Sequence, residues 1–237
     1  MKEIQISRRL QSVAFFVQEG KVLADVGCDH GYLPLYLYLN KKIPSAIAMD
    51  VRSGPLSRAR EHIAEYGLEK YIETRLSDGL SALSPGEGDT LTVAGMGGPL
   101  MERILMAKEE VRESFQELIL QPQSDIPHFR RFLREIGWEI IEEEIVLEDG
   151  KFYPMMKAVR GEAQIIPEDM PYTPEEAFGG LLLKKRHPVL KLYLERELRI
   201  RNGILEKLRE AAADDRRKEI EEERSLILAA LKQYESI

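Results

Sequence analysis

Through residues 1 to 160, short apolar runs rich in β-branched residues alternate with stretches whose apolar positions recur at helical spacing. That alternation predicts a mostly parallel sheet covered by helices on both faces. Strands are expected at Lys21 to Val26, Ser45 to Met49, Tyr71 to Leu76, Asp89 to Ala94 and Glu117 to Leu120, each soon followed by Gly, Asp or Pro. Between and after them, Tyr32 to Leu39, Pro55 to Tyr66, Met101 to Ala107 and His128 to Ile136 carry the helical period. Trp138 to Leu147 and Phe152 to Val159 are two further extended runs. Glu148, Asp149 and Gly150 join them as a hairpin turn, so an antiparallel pair closes the sheet at one edge.

Beyond Gly161 the pattern changes. A linker with Pro167, Pro171 and Pro174 leads into a long segment that has no proline after Pro188. Leu190, Leu194, Leu198, Leu205 and Leu208 form one roughly heptad-like stripe, and Ile220, Ile227 and Leu231 form a second. Two long amphipathic helices are expected, folded back by a turn near Ala211 to Asp215 into an α-helical hairpin of coiled-coil type. The division is therefore 1–162 for an α/β domain and 163–237 for a helical one.

Composition narrows the class. With 43% hydrophobic residues the 237-residue chain has material for a sizeable core, which excludes a disordered or fibrous protein. One cysteine, Cys28, excludes an internal disulfide and paired-cysteine zinc sites, and no metal site is expected. The first residues lack the features of a secretion signal, and no apolar run approaches the roughly 20 residues of a membrane span. A cytoplasmic protein without membrane contact is expected.

The chemistry concentrates after the first strand. Ala24-Asp25-Val26-Gly27-Cys28-Asp29-His30-Gly31-Tyr32 leaves a buried strand and opens a helix, the place where open α/β sheets bind ligands. Asp50 ends the second strand 25 positions after Asp25, near the spacing at which such folds hold a ribose diol, and Val51 follows it. Asp78, in Ser77-Asp78-Gly79, ends the third strand. Carboxylates suit diols because their oxygens accept hydroxyl hydrogen bonds. A single Asp at a strand end is often only a helix cap, but three at successive strand ends indicate one crevice for a cofactor. The G-x-G-x-x-G fingerprint of dinucleotide enzymes is absent, and Asp29 would repel a pyrophosphate. A cationic cofactor fits better, and S-adenosylmethionine is the natural candidate.

Asp25-Val26-Gly27-Cys28-Asp29-His30-Gly31-Tyr32-Leu33-Pro34, Gly54-Pro55-Leu56, Ser77-Asp78-Gly79-Leu80, Ala94-Gly95-Met96-Gly97-Gly98 and Leu120-Gln121-Pro122 together resemble the bacterial tRNA (adenine(22)-N1)-methyltransferase family, in collinear order from residue 4 to about 160. The resemblance implies a class I, Rossmann-like methyltransferase fold, S-adenosylmethionine as donor and an adenosine in the D-arm of tRNA as acceptor. Asp25, Gly27, His30, Asp50, Val51, Asp78, Gly79, Ala94 and Gly95 are then the expected cofactor residues.

On the acceptor side, Ala94-Gly95-Met96-Gly97-Gly98-Pro99 stands where amino-directed nucleic-acid methyltransferases of this class carry Asp/Asn-Pro-Pro-aromatic. The departure suits adenine N1, whose in-plane lone pair attacks without prior deprotonation. Asp29 is the candidate charge beside the cationic product, Tyr32 a stacking platform, and Met96 with Gly97 the close wall of the base site. Read without the resemblance, His30 and Tyr32 serve equally well as packing at a helix start, Met96 as core filler, and Gln121 as either a base reader or part of a turn.

The net charge of -7 argues against broad nucleic-acid affinity. Residues 184 to 209 nevertheless hold nine Lys or Arg against three acids, a local balance of +6. Lys184, Lys185, Arg186, Lys191 and Arg199, with Arg8 and Arg9 near the start, are the expected phosphate contacts, and Arg130, Arg131 and Arg134 form another basic cluster. The residues alone leave two rivals: a methyltransferase for a small molecule or protein, and a non-catalytic helical interaction protein.

Overall fold

The structure, a computed structural model, describes residues 4–167, 169–208 and 214–235. It opens with α1 (Arg8–Phe16), β1 (Leu23–Val26), α2 (Tyr32–Leu39), β2 (Ala46–Asp50), α3 (Ser53–Glu65), β3 (Ile72–Leu76) and β4 (Thr90–Met96). There follow α4 (Gly98–Ala107), α5 (Glu109–Arg112), β5 (Glu117–Pro122), α6 (Ile126–Glu135), β6 (Trp138–Glu148) and β7 (Lys151–Arg160), then α7 (Pro174–Phe178), α8 (Gly180–Lys184), α9 (Pro188–Leu208) and α10 (Asp214–Glu235).

One seven-stranded sheet runs in the order β3-β2-β1-β4-β5-β7-β6. Its first five strands pair in parallel, and β7 inserts antiparallel between β5 and β6. The order reverses beside β1, the switch point at which such sheets open a crevice at their carboxyl ends. The hairpin turn is made by Asp149 (φ 50°) and Gly150 (φ 74°), two left-handed residues in succession, as a two-residue type I′ connection requires.

Strand residues alternate strictly between two apolar layers. Ala24, Val26, Ile47, Met49, Leu91 and Val93 pack with α4, α5 and α6 through Met101, Leu105, Val111 and Phe129. Leu23, Ala46, Ala48 and Ile119 pack with α1, α2 and α3 through Phe16, Leu35, Leu56 and Ile63. Period-two alternation therefore turns Asp25 and Asp50 toward the layer of α1, α2 and α3.

A third cluster joins the helices to the sheet. Leu182, Leu183, Leu190, Leu194, Ile227 and Ala230 enclose Ile145 of β6, with Phe152 of β7 packed alongside. The long helices run antiparallel: Arg201 pairs with Glu223, the Arg224 Nε–H donates to Asn202 (2.8 Å), and the Tyr234 hydroxyl donates to the His187 carbonyl (3.0 Å). Leu190, Leu194, Ile220 and Ile227 of the expected stripes are buried, whereas Leu205 and Leu208 are half-buried. The expected turn near Ala211 lies outside the described residues.

Buried ion pairs reinforce the junction. Arg130 and Arg131 of α6 are each 4% exposed. The Arg130 Nε–H donates to Glu143 (2.9 Å), and Arg131 donates to Glu176 (2.9 Å), which Arg134 also reaches. The second basic cluster seen in the sequence is thus largely internal structure: Arg130 and Arg131 are buried with carboxylate partners and out of reach of RNA, and Arg134, partly exposed, shares Glu176.

Candidate active site

At the carboxyl ends of β1 to β4 lies a crevice of about 450 Å³. Gly27, Asp29, Asp50, Val51, Asp78, Gly79, Ala94, Gly95 and Met96 line it, all of them expected. Asp25 lies one residue below the turn, in an adjoining hollow of about 400 Å³ that shares Arg9, Gly27, Asp29 and Ala94 with the crevice and also holds Tyr32.

The glycine turn has a steric reason. Gly27 has φ +76°, a left-handed conformation that disfavours any side chain, and a Cβ there would also displace the end of the flexible Met96 side chain, whose Cε lies in its place. Gly98 starts α4 in equally close quarters, since a Cβ would stand 2.7 Å from the Ser124 carbonyl oxygen. Gly97 packs against Ser124, and the Gln123 N–H donates to the Met96 carbonyl (2.8 Å). The chain after β4 and the chain after β5 are thereby locked together as one wall.

Asp50 is buried, and both its carboxylate oxygens are oriented by backbone: Oδ2 accepts from the Asp29 N–H (3.3 Å) and Oδ1 from the Arg52 N–H (2.9 Å). Asp29 sits at φ 50° with a largely exposed carboxylate. Asp78 is exposed at the rim, its turn held by the Ser77 hydroxyl, which donates to the Gly79 carbonyl (2.8 Å).

Asp25 is the electrostatic oddity. Burial pushes its carboxyl up to about 6, the Asp50 charge adds to this, and the hydrogen bond from the Thr92 hydroxyl (2.6 Å) opposes it. Burial also drives the Cys28 thiol far up, helped by the charges of Asp25, Asp50 and Asp29; it stays protonated and is no nucleophile.

His30 does not line either hollow. Its ring packs with Tyr32 (5.9 Å between centroids) and His62 (6.1 Å), and Tyr32 stacks on His62 at 5.1 Å. Gln121 is fully buried, accepts from Arg9 Nη1 (3.0 Å) and turns its amide N–H to the Pro122 carbonyl (3.2 Å), so it reads no base edge. Arg9 is itself fixed, because Glu148 accepts the N–H groups of Arg8 (2.7 Å) and Arg9 (3.3 Å) at the start of α1. Gln123, Leu100 and Ile104, which no local pattern in the chain singles out, complete the crevice.

The residues present fit a cationic nucleoside cofactor. Anchored Asp50 offers acceptors to a diol, Leu100 and Ile104 offer an apolar flank for a flat base, and the carboxylates of Asp29, Asp50 and Asp78 outnumber the two lining cations, Arg9 and Arg52.

Lys184, Lys185 and Arg186 stand exposed where α8 gives way to α9, and Lys191 and Arg199 are exposed on α9. In the same stretch Arg201 is committed to Glu197 and Glu223, whereas Arg196 gives one hydrogen bond to the Gly150 carbonyl; Arg209 lies outside the described residues.

A switch-point crevice bounded by carboxylates at the ends of β1, β2 and β3 defines a Rossmann-like methyltransferase. Residues 6–156 match the family model described as a methyltransferase domain. The tRNA (adenine(22)-N(1))-methyltransferase of Bacillus subtilis (strain 168) is 35% identical over 219 residues, covering 92% of each chain. The chain belongs to the tRNA (adenine(22)-N(1))-methyltransferase family. A Streptococcus pneumoniae putative tRNA (m1A22) methyltransferase, solved in complex with S-adenosyl-L-methionine, superposes with a TM-score of 0.85 at 33% identity over 96% of this chain and 100% of that one. An M. capricolum relative, solved with S-adenosyl-homocysteine, gives 0.83 at 25% identity over 97% of this chain and 99% of that one.

Proposed function

We propose that the chain transfers a methyl group from S-adenosylmethionine to N1 of an adenosine in tRNA, at position 22 in the D-arm. The observation that carries this is the meeting, in one crevice, of anchored Asp50, Asp78, exposed Asp29 and the glycine wall after β4. When bound, the cofactor supplies an electrophilic methyl group on a positively charged sulfur.

The chain's own part is binding and alignment. Asp50 accepts the ribose hydroxyls with both oxygens already oriented, and Asp78 with Ser77 borders the adenine end. The wall of Met96, Gly97 and Gly98 braced on Gln123 and Ser124 holds the target base in line. Adenine N1 attacks with its own lone pair, so no side chain has to remove a proton first. Positive charge builds on the ring as the methyl carbon changes partners, and Asp29 offsets it; positioning and this charge supply the rate. Tyr32, already stacked on His62, offers a fixed aromatic edge.

The helical segment 163–237 orients the tRNA, with Lys184, Lys185, Arg186, Lys191 and Arg199 on phosphates and exposed Arg8 at the start of α1 as a further contact, while Arg9, which lines the crevice, is held by Gln121. Incubation with labelled donor and unmodified tRNA, followed by nucleoside analysis, should yield 1-methyladenosine. Label in a small molecule or protein and none in tRNA would refute the proposal.

A further inference from the structure

The geometry points to a second nucleotide site, at the junction of the β6–β7 hairpin with the C-terminal helices, that takes the base and phosphate next to the methylated adenosine. It rests on the proposal that tRNA is the substrate. A cavity of about 380 Å³ opens there, within the range of small-ligand sites. Gln123 lines both this cavity and the crevice. Arg9, on the crevice wall, has its guanidinium carbon 5.6 Å from the centre of the Tyr153 ring, which lines the cavity. The two hollows are therefore neighbours, and a strand that places one base in the crevice carries its next nucleotide to the junction.

The cavity has the chemistry for that guest. Phe152 and Tyr193 meet edge to face at 5.2 Å, and aromatic walls bind any base through its π face. The Tyr193 hydroxyl has no hydrogen-bond partner among the described residues, and burial with the nearby Glu197 charge keeps it protonated, a donor. Two of the charged residues at the cavity are already spoken for: Arg130 by Glu143 and Glu197 by Arg201 (2.8 Å). Lys151 has no acidic partner within 4.0 Å among the described residues. Arg196 gives one hydrogen bond to the Gly150 carbonyl (3.1 Å), and its guanidinium carbon lies 5.6 Å from the centre of the Phe152 ring. An aromatic floor with two cations at its mouth is the complement of one nucleotide, base inward and phosphate outward.

The test is steady-state methylation of an unmodified tRNA transcript by the full-length enzyme and two variants, Phe152→Leu and the double variant Lys151→Gln with Arg196→Gln. Each is assayed on the intact transcript and on transcripts abasic at the nucleotide before or after the target. Both variants should raise KM for tRNA about tenfold, with kcat and donor KM unchanged. One abasic transcript should cost the wild type a similar factor, and Phe152→Leu should then cost nothing more. The double variant replaces exposed side chains, so its reading does not depend on the aromatic substitution being tolerated. Unchanged KM in the double variant, a loss confined to kcat, or losses from Phe152→Leu and base removal that multiply would each overturn the site. A wild-type enzyme that methylates no tRNA would instead overturn the proposal beneath it, and this site with it.

Discussion

Asp50 and Asp25 are both acidic, both on the same side of the sheet and both nearly inaccessible, at 5% and 4% exposure, yet their surroundings set them different tasks. Two backbone N–H groups hold Asp50 ready to accept from a ligand, so Asp50→Ala should weaken donor binding by on the order of tenfold to a hundredfold, read by calorimetry, with the circular dichroism of the fold unchanged. Unaltered affinity would remove the residue from the site. Asp25 has no such support, and its carboxyl rises from an ordinary 3.8 to about 6. Between those values the folded chain binds more protons than the unfolded one. Stability contributed by the neutral form is therefore complete below the lower value and lost as pH rises through the upper. Asp25→Asn should flatten that fall and leave the protein more stable than wild type at pH 7 by on the order of 3 kcal/mol, seen in urea titrations. The carboxylates were legible in the sequence because an Asp directly after an apolar run is a local signal. Gln123, Leu100 and Ile104 were not, since only the folding of two separate loops and α4 against one another brings them to the crevice.

The same distinction decides which elements could be read. The strands and helices of the α/β part, the two-residue hairpin and the two long helices follow from period and turn chemistry, each a property of neighbours in sequence. The ends drifted where tertiary pairing takes over: β4 runs on to Met96 and β5 to Pro122 because they continue to pair with one another past a bulge. The short α5, α7 and α8 are too brief to show a period. The structural role of Arg130 and Arg131 was hidden for a related reason, since their partners lie 13 and 45 residues away and a basic run alone does not reveal them. Glu143 is the centre of that clip, accepting from Arg130 and from the Leu181 N–H (3.0 Å) at the start of α8. Glu143→Gln should destabilise the protein by about 3–5 kcal/mol in denaturant titration, because a buried guanidinium loses its counter-charge. A change within error would show that water replaces the carboxylate.

For the molecule as a whole, the proposed function asks an acidic chain to hold a polyanion, and the exposed cations grouped where α8 meets α9 are the proposed means. Replacing Lys184, Lys185 and Arg199 by Gln should leave donor affinity untouched and lower the slope of log Kd for tRNA against log salt by up to about 2 to 3. An unchanged slope would place the RNA elsewhere. The opposite end of the sheet has its own consequence. β6 is the last strand in the order, and its outward row of backbone donors and acceptors is a template on which another chain could extend the sheet. It is a poor template: its register shifts at Ile140 to Glu142, and Glu139, Glu142, Glu144 and Glu148 lie along it at least partly exposed. A second copy laid alongside would set rows of like charge against each other over a kinked backbone. The border that carries no catalytic duty thus guards a concentrated solution of the enzyme against fibre-like growth.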